Sequence, residues 1–174
     1  MTESEMAADA PLIVVLGVSG SGKTTIGALI ADELGVPFVD ADSLHPASNV
    51  AKMASGTPLD DDDRWPWLAR VGGELARAAS AETGLVMACS ALKRVYRDAI
   101  RAEAPALHFV HLSGDREVLS HRTTGRSGHF MPASLLDSQL ATLEQLQPDE
   151  PGIVVDIAPP VADVVADAVA RIRP

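Results

Sequence analysis

Gly17-Val18-Ser19-Gly20-Ser21-Gly22-Lys23-Thr24 matches the pattern G-x-x-x-x-G-K-[ST] in full. Such a run is suited to holding phosphate. Crowded anionic oxygens need backbone N–H groups close by, and close approach is possible only where no side chain intervenes. Gly17, Gly20 and Gly22 permit the tight turn, and a helix starting near Lys23 presents its positive end to the anion. Lys23 is placed to reach the β- and γ-phosphates, and the Thr24 hydroxyl to sit on Mg²⁺. With Ser19, Ser21 and Thr25 these residues make up the expected nucleotide-binding set. The alternative is a glycine-rich strand-to-helix turn that binds nothing. The complete motif in its proper setting, between a strand ending at Leu16 and a helical pattern, disfavours it.

A second chemical group follows in Phe38-Val39-Asp40-Ala41-Asp42. Ligands of open α/β sheets bind beyond the carboxyl ends of the strands, which is where these two carboxylates fall. One aspartate there can hold Mg²⁺ through water, and another, two residues on, can accept a hydrogen bond from an attacking hydroxyl. Asp40 is the more natural metal partner and Asp42 the one to orient or deprotonate the hydroxyl. The spacing leaves the two roles exchangeable, and a pair of solvated loop acids is the bland alternative. No Asn-Lys-x-Asp element is present, which disfavours a guanine-nucleotide switch.

These groups require a scaffold, and the hydropathy pattern supplies one. Short apolar runs at Leu12–Leu16, Pro37–Asp40, Leu85–Ala88, Leu107–Leu112 and Ile153–Asp156 read as strands buried on both faces. Between them lie helical patterns: Ile26, Leu29, Ile30 and Leu34 ended by Gly35; Trp67, Leu68, Val71 and Leu75; Leu136, Leu140 and Leu143 after Pro132; and a stripe from Val161 to Ile172. The alternation predicts an α/β fold with a parallel sheet between helical layers. Two polar intervals break it, His45 to Arg64 and Arg122 to Pro132. Polar insertions of this kind commonly serve as lids or substrate loops.

At 174 residues the chain is expected to form one domain over 12–174, preceded by a frayed tail over 1–11. Twenty-four acids against fourteen Lys and Arg give a net charge of −10, which argues against nucleic acid or an anionic membrane as principal partner. An anionic substrate therefore needs a local basic pocket. The lone Cys89 forms no internal disulfide and reads as a buried small residue, so a reduced compartment is expected. The acidic start lacks the pattern of a signal peptide, and no apolar run is long enough to span a bilayer; the expectation is a cytoplasmic protein.

Further motifs make a more specific resemblance. Asp40-Ala41-Asp42 with Leu44-His45-Pro46, Asn49 with Lys52-Met53-Ala54-Ser55-Gly56, and Pro58-Leu59-Asp60-Asp61-Asp62-Asp63-Arg64 with Pro66-Trp67-Leu68 resemble the gluconate kinases. So do Cys89-Ser90-Ala91-Leu92-Lys93 with Tyr96-Arg97-Asp98, Gly128-His129-Phe130, and Val154-Val155-Asp156-Ile157. The resemblance runs from Leu12 to Ile172; Asp60 and Trp65 depart from residues common in the family, away from the reacting groups. It implies a three-layer P-loop kinase fold of shikimate-kinase type, with a five-stranded parallel sheet and a mobile lid. It also implies ATP as donor, the terminal hydroxyl of D-gluconate as acceptor, and a homodimer. Another small-metabolite kinase, shikimate-type or nucleotide, and a nucleotide sensor that transfers nothing are the rivals.

A flexible polyol with one carboxylate needs cations for the carboxylate and hydrogen-bonding groups for the hydroxyls. Arg64, Lys93 and Arg97 are the cations expected to serve, the last two sharing a helical face. His45 is expected either to bond a substrate hydroxyl or to cap backbone. Asp60 to Asp63 read as a solvated helix start, with Asp61 the member most suited to face the polyol. Arg122 and Arg126 fall in the expected lid, about 122–132, where closure would neutralise charge on the transferred group; a basic surface loop is the alternative. His129 enters the substrate set through the matched motif alone. Trp65 and Trp67 read as packing residues, not as a stacking platform.

Overall fold

The computed structural model describes residues 10–124 and 133–172. Five strands, β1 (Leu12–Leu16), β2 (Phe38–Asp40), β3 (Leu85–Ala88), β4 (His108–Ser113) and β5 (Gly152–Asp156), form one sheet in the order β2-β3-β1-β4-β5. Every pairing is parallel, with Val14 aligned to Met87 on one side and Phe109 on the other. Seven helices accompany it: α1 (Lys23–Leu34), α2 (Ala47–Ala54), α3 (Asp61–Ser80), α4 (Arg94–Glu103), α5 (Arg116–Thr124), α6 (Ala133–Thr142) and α7 (Val161–Ile172), with a 3₁₀ turn over Ala41–Leu44.

Strand alternation sorts the core into two layers. Ile13 and Val15 of β1 pack with Ile26 and Ile30 of α1, Leu136 of α6 and Val164 of α7. Leu12, Val14 and Leu16 face the other way, toward Leu68, Val71 and Leu75 of α3 and Ile100 of α4. All five β1 side chains are buried, as continuous apolar character predicts for a central strand. The edges differ from expectation: β2 starts one residue later than Pro37 and is only half-buried, and Val154 of β5 is exposed, because edge strands lack a neighbour on one side.

Gly35 ends α1 as predicted, its N–H donating to the Asp32 carbonyl while Val36 N–H returns to Ala31. The aspartate run is indeed a helix start. Asp60 is the N-cap of α3 and accepts from Asp63 N–H at 2.8 Å, while Asp63 accepts from Asp60 N–H at 2.9 Å, a reciprocal capping box. The interval His45 to Arg64 is therefore not one extended insertion: it holds α2 and the first turn of α3.

Candidate active site

The glycine loop leaves β1 at Leu16 and closes onto α1 at Lys23. Gly22 takes φ of +91°, a left-handed turn that L side chains resist, and aims the first N–H groups of α1 back into the loop. At Gly17 a Cβ would fall 2.6 Å from Ser21 Oγ and 3.0 Å from the Leu112 carbonyl, so no side chain fits where the loop crosses β4. Lys23 Nζ folds over the loop and donates to the Val18 carbonyl at 3.2 Å. The Ser21 hydroxyl is buried and has no partner among the described residues. A cradle with a lysine across it, lined by backbone donors and an unsatisfied hydroxyl, fits an anion.

Across from α1, Thr24 Oγ1 donates to Asp40 Oδ2 at 3.1 Å, and the other Asp40 oxygen accepts from Asp42 N–H at 3.0 Å. The Asp40 carboxylate thus caps the 3₁₀ turn and turns one edge to the loop. A hydroxyl beside a carboxylate is the donor set of a hard divalent cation. Asp42 follows on the same turn, reachable by solvent yet partly surrounded by protein. This burial, and then the Asp40 charge, raise its pKa above the ordinary value, while Lys23 and His45 pull the other way.

His45 does not cap backbone through its ring. The ring stacks on Trp67 at 4.2 Å and 14°, and its Nδ1 accepts from Asn49 Nδ2 at 3.2 Å, which leaves the Nε2 proton as the donor. Desolvation, with the Arg64 charge adding to it, lowers the His45 pKa against the pull of Asp42, so the ring is neutral near pH 7. Trp67 is both core and platform: it is 3% exposed and its Nε1 donates to the Ala41 carbonyl at 2.8 Å, pinning the acidic turn to α3.

Tyr96 gathers three of the expected substrate residues. Its hydroxyl donates to Asp61 Oδ1 and accepts from Arg64 at 3.1 Å, and the Arg64 and Lys93 cations lie 5.4 and 5.5 Å from its ring centroid. Lys93 Nζ stands 3.8 Å from Asp61. The Tyr96 hydrogen bond, followed by the Lys93 and Arg64 charges, holds the Asp61 carboxyl below its usual range. Asn49 and Tyr96, whose motifs stand out in the sequence but whose tasks do not, join these candidate site residues. Asn49 is 3% exposed and also donates to the Asp63 carbonyl at 2.9 Å, while Lys52 pairs with Asp63.

Arg97 requires correction. It does not share an exposed face with Lys93, because α4 begins only at Arg94 and Lys93 is its extended N-cap. Arg97 is wholly buried: Nε and Nη2 clasp Glu150 at 2.7 and 3.1 Å, and Nη1 donates to the Ala91 and Leu92 carbonyls. Its donors are engaged within the protein, so it braces the segment bearing Lys93 and does not face the cleft. Glu144 N–H donates to the Leu92 carbonyl at 2.8 Å, its carboxylate accepts from Arg94 N–H at 2.8 Å, and Arg94 grips Asp149. Arg122 lies on α5 with its side chain outside the described residues, as Arg126 and His129 are outright. Cys89 is buried as expected, its thiol pushed up to about 12 by desolvation.

A parallel sheet with this cradle after its central strand and an acidic pair after β2 defines a P-loop kinase. The shikimate kinase family profile matches residues 19–149. The thermosensitive gluconokinase of Escherichia coli (strain K12) is 47% identical over 153 residues, 87% of this chain and 81% of that protein. The gluconokinase of Gluconobacter oxydans (strain 621H) is 48% identical over 88% of this chain and 86% of its own. Among solved structures, a gluconokinase from Sinorhizobium meliloti 1021 superposes with a TM-score of 0.86 at 49% identity, covering 94% of this chain and 92% of that one. The chain belongs to the gluconokinase family and is an enzyme. The Mycobacterium tuberculosis APS kinase CysC, at 14% identity and a TM-score of 0.66, shares the fold alone. No helix among the described residues is long and apolar enough to cross a membrane.

Proposed function

We propose that this protein transfers the γ-phosphoryl group of ATP to the terminal hydroxyl of D-gluconate, giving 6-phospho-D-gluconate and ADP. The single observation that carries the reading is a chain of contacts leading from the cradle to the cations. Thr24 bonds Asp40, Asp40 bonds the Asp42 N–H, the turn that bears Asp42 is pinned by its Ala41 carbonyl to Trp67 of α3, and the first turn of α3 carries Asp61 and Arg64 to Tyr96 and Lys93. Phosphate-binding groups, a carboxylate for the acceptor hydroxyl and cations for a carboxylate are thus joined through neighbouring elements.

Phosphoryl transfer has a loose transition state, so alignment and charge neutralisation supply most of the catalysis. Gly17 to Thr25 hold the triphosphate, with Lys23 at its outer end. Asp42 orients the attacking hydroxyl and accepts its proton, a task that the raised pKa favours. His45 donates from Nε2 to a substrate hydroxyl, Arg64 and Lys93 receive the sugar-acid carboxylate, and Asp61 steadies them. Thr24, and Asp40 through water, would hold Mg²⁺, which when bound neutralises phosphate charge. Arg122, Arg126 and His129 take their parts in this reading from the sequence alone. The family resemblance supports a homodimer, the lone cysteine and the lack of a signal-peptide pattern support a cytoplasmic enzyme, and the acidic charge speaks against nucleic acid or an anionic membrane as partner.

A panel of coupled ADP-release assays tests the assignment, with single-turnover product identified by mass. Phosphorylated gluconate is expected. Turnover of shikimate or a nucleoside monophosphate with none of gluconate, or ATP binding with no product, would overturn it.

A further inference from the structure

Gln139 belongs to none of the motifs that hold phosphate, yet its side chain reaches the cradle. Its Oε1 accepts from Ser19 N–H at 2.5 Å, bridging 120 positions of sequence. Backbone N–H groups of this loop are the donors that phosphate oxygens take. An oxygen already seated on one of them stands where an anion's oxygen would stand. The nucleotide must therefore displace Gln139 or be met by it.

Several features favour a meeting. The helix α6 that carries Gln139 is anchored: Leu136 is 3% exposed in the core, Leu140 packs on the same layer, and Leu143 N–H donates to the Gln139 carbonyl at 2.9 Å. The backbone stays in place, and the side chain alone is free to turn. A carboxamide carries an acceptor and a donor on one carbon, and half a turn about its last torsion exchanges them. The position along the phosphate chain also follows, because Lys23, the residue that reaches the outer phosphates, rests its amine on the carbonyl of Val18, next to Ser19. The buried Ser21 hydroxyl in the same loop, with no partner among the described residues, points independently to a ligand.

We propose that Gln139 is a phosphate-sensing residue. Its carbonyl accepts from the Ser19 N–H, and on the binding of a triphosphate its amide turns to donate to the terminal phosphate. The inference rests on the reading of residues 17–24 as a triphosphate cradle. Glutamate at this position would repel phosphate, and leucine would neither accept nor donate.

The test measures dissociation constants of the full chain for ADP and for a non-hydrolysable ATP analogue, together with kcat on gluconate, in the wild type, Gln139→Leu and Gln139→Glu. Removing one hydrogen bond to a charged group predicts that Gln139→Leu weakens the analogue about tenfold and lowers kcat by at least about as much, with ADP affinity held within about twofold. Gln139→Glu should weaken the analogue further still, relative to ADP. Unchanged kcat and an unchanged ratio of analogue to ADP affinity in Gln139→Leu would overturn the proposal. So would equal weakening of both nucleotides in both variants. A wild type that binds neither nucleotide would instead overturn the cradle reading, and this inference with it.

Discussion

Thr24 and Asp40 share a hydrogen bond of 3.1 Å although one opens the helix after the cradle and the other closes β2, an edge strand of the sheet. That bond places a hydroxyl and a carboxylate oxygen together beside the loop. It also fixes the turn that carries Asp42, since the second Asp40 oxygen binds the Asp42 N–H.

Thr24→Val keeps the shape and removes the hydroxyl. It should raise the Mg²⁺ concentration for half-maximal turnover roughly tenfold, the order expected for losing one ligand contact to a charged centre. Titration of Mg²⁺ at saturating ATP and gluconate checks this. An unaltered midpoint would separate Thr24 from the metal.

Asp42→Asn keeps the size of the side chain and loses its ability to take a proton. The expected loss is about 10²-fold or more in kcat, with ATP-analogue affinity changed far less. Kinetics paired with direct binding measurements separate the two effects. Equal losses would move Asp42 from the acceptor to the nucleotide.

Lys93 and Arg97 should behave as opposites. Lys93→Ala is expected to raise the KM for gluconate by about tenfold with little change in thermal stability, since it removes a contact to a charged group. Arg97→Leu leaves the buried Glu150 with only the Gln147 N–H and the more distant Arg94, and should cost about 3 kcal/mol of stability. Denaturant unfolding and steady-state kinetics on both variants test the contrast. A stable Arg97→Leu protein with a raised KM would restore Arg97 to the substrate site.

His111 sets an acid limit on folding. The ring is wholly buried on β4, neither nitrogen has a partner among the described residues, and burial, then the Arg97 charge, push its pKa down to about 4 against a small pull from Glu150. The unfolded imidazole titrates near 6.5. Above that pH both states are neutral, and between 6.5 and 4 only the unfolded state binds the proton. Stability therefore falls with pH across that window by about 1.4 kcal/mol per unit, about 3 kcal/mol in all. His45, also lowered, acts with the same sign. His111→Leu should flatten the slope of unfolding free energy between pH 6.5 and 4.5. A slope unchanged in that variant would place the acid sensitivity elsewhere.

The parts legible in sequence were those with local physical causes. β1 and β3 were found at their true limits because they are buried on both faces, and the glycine loop because its whole motif lies within eight residues. The helix start at Asp60 to Asp63 was legible because acids favour helix N-termini, though which of them caps the helix was not. α5 was hidden by its mostly polar surface. Arg97 was misplaced because the number of residues between two cations does not reveal where a helix begins. The partners of Arg97 and Tyr96 lie up to 53 positions away, and no spacing rule reaches that far.

The strap from Glu144 to Glu150 ties the end of α6 to the strand-to-helix corner after β3 through the Leu92 carbonyl, Arg94 and Arg97. Gln139, whose side chain reaches the cradle, and Lys93, beside Asp61, are therefore mounted on one truss, so these two sides of the site shift together. On the proposed reading this frame would set the distance between phosphorus and hydroxyl, and cutting any rung of it, even far from either substrate, would detune the alignment.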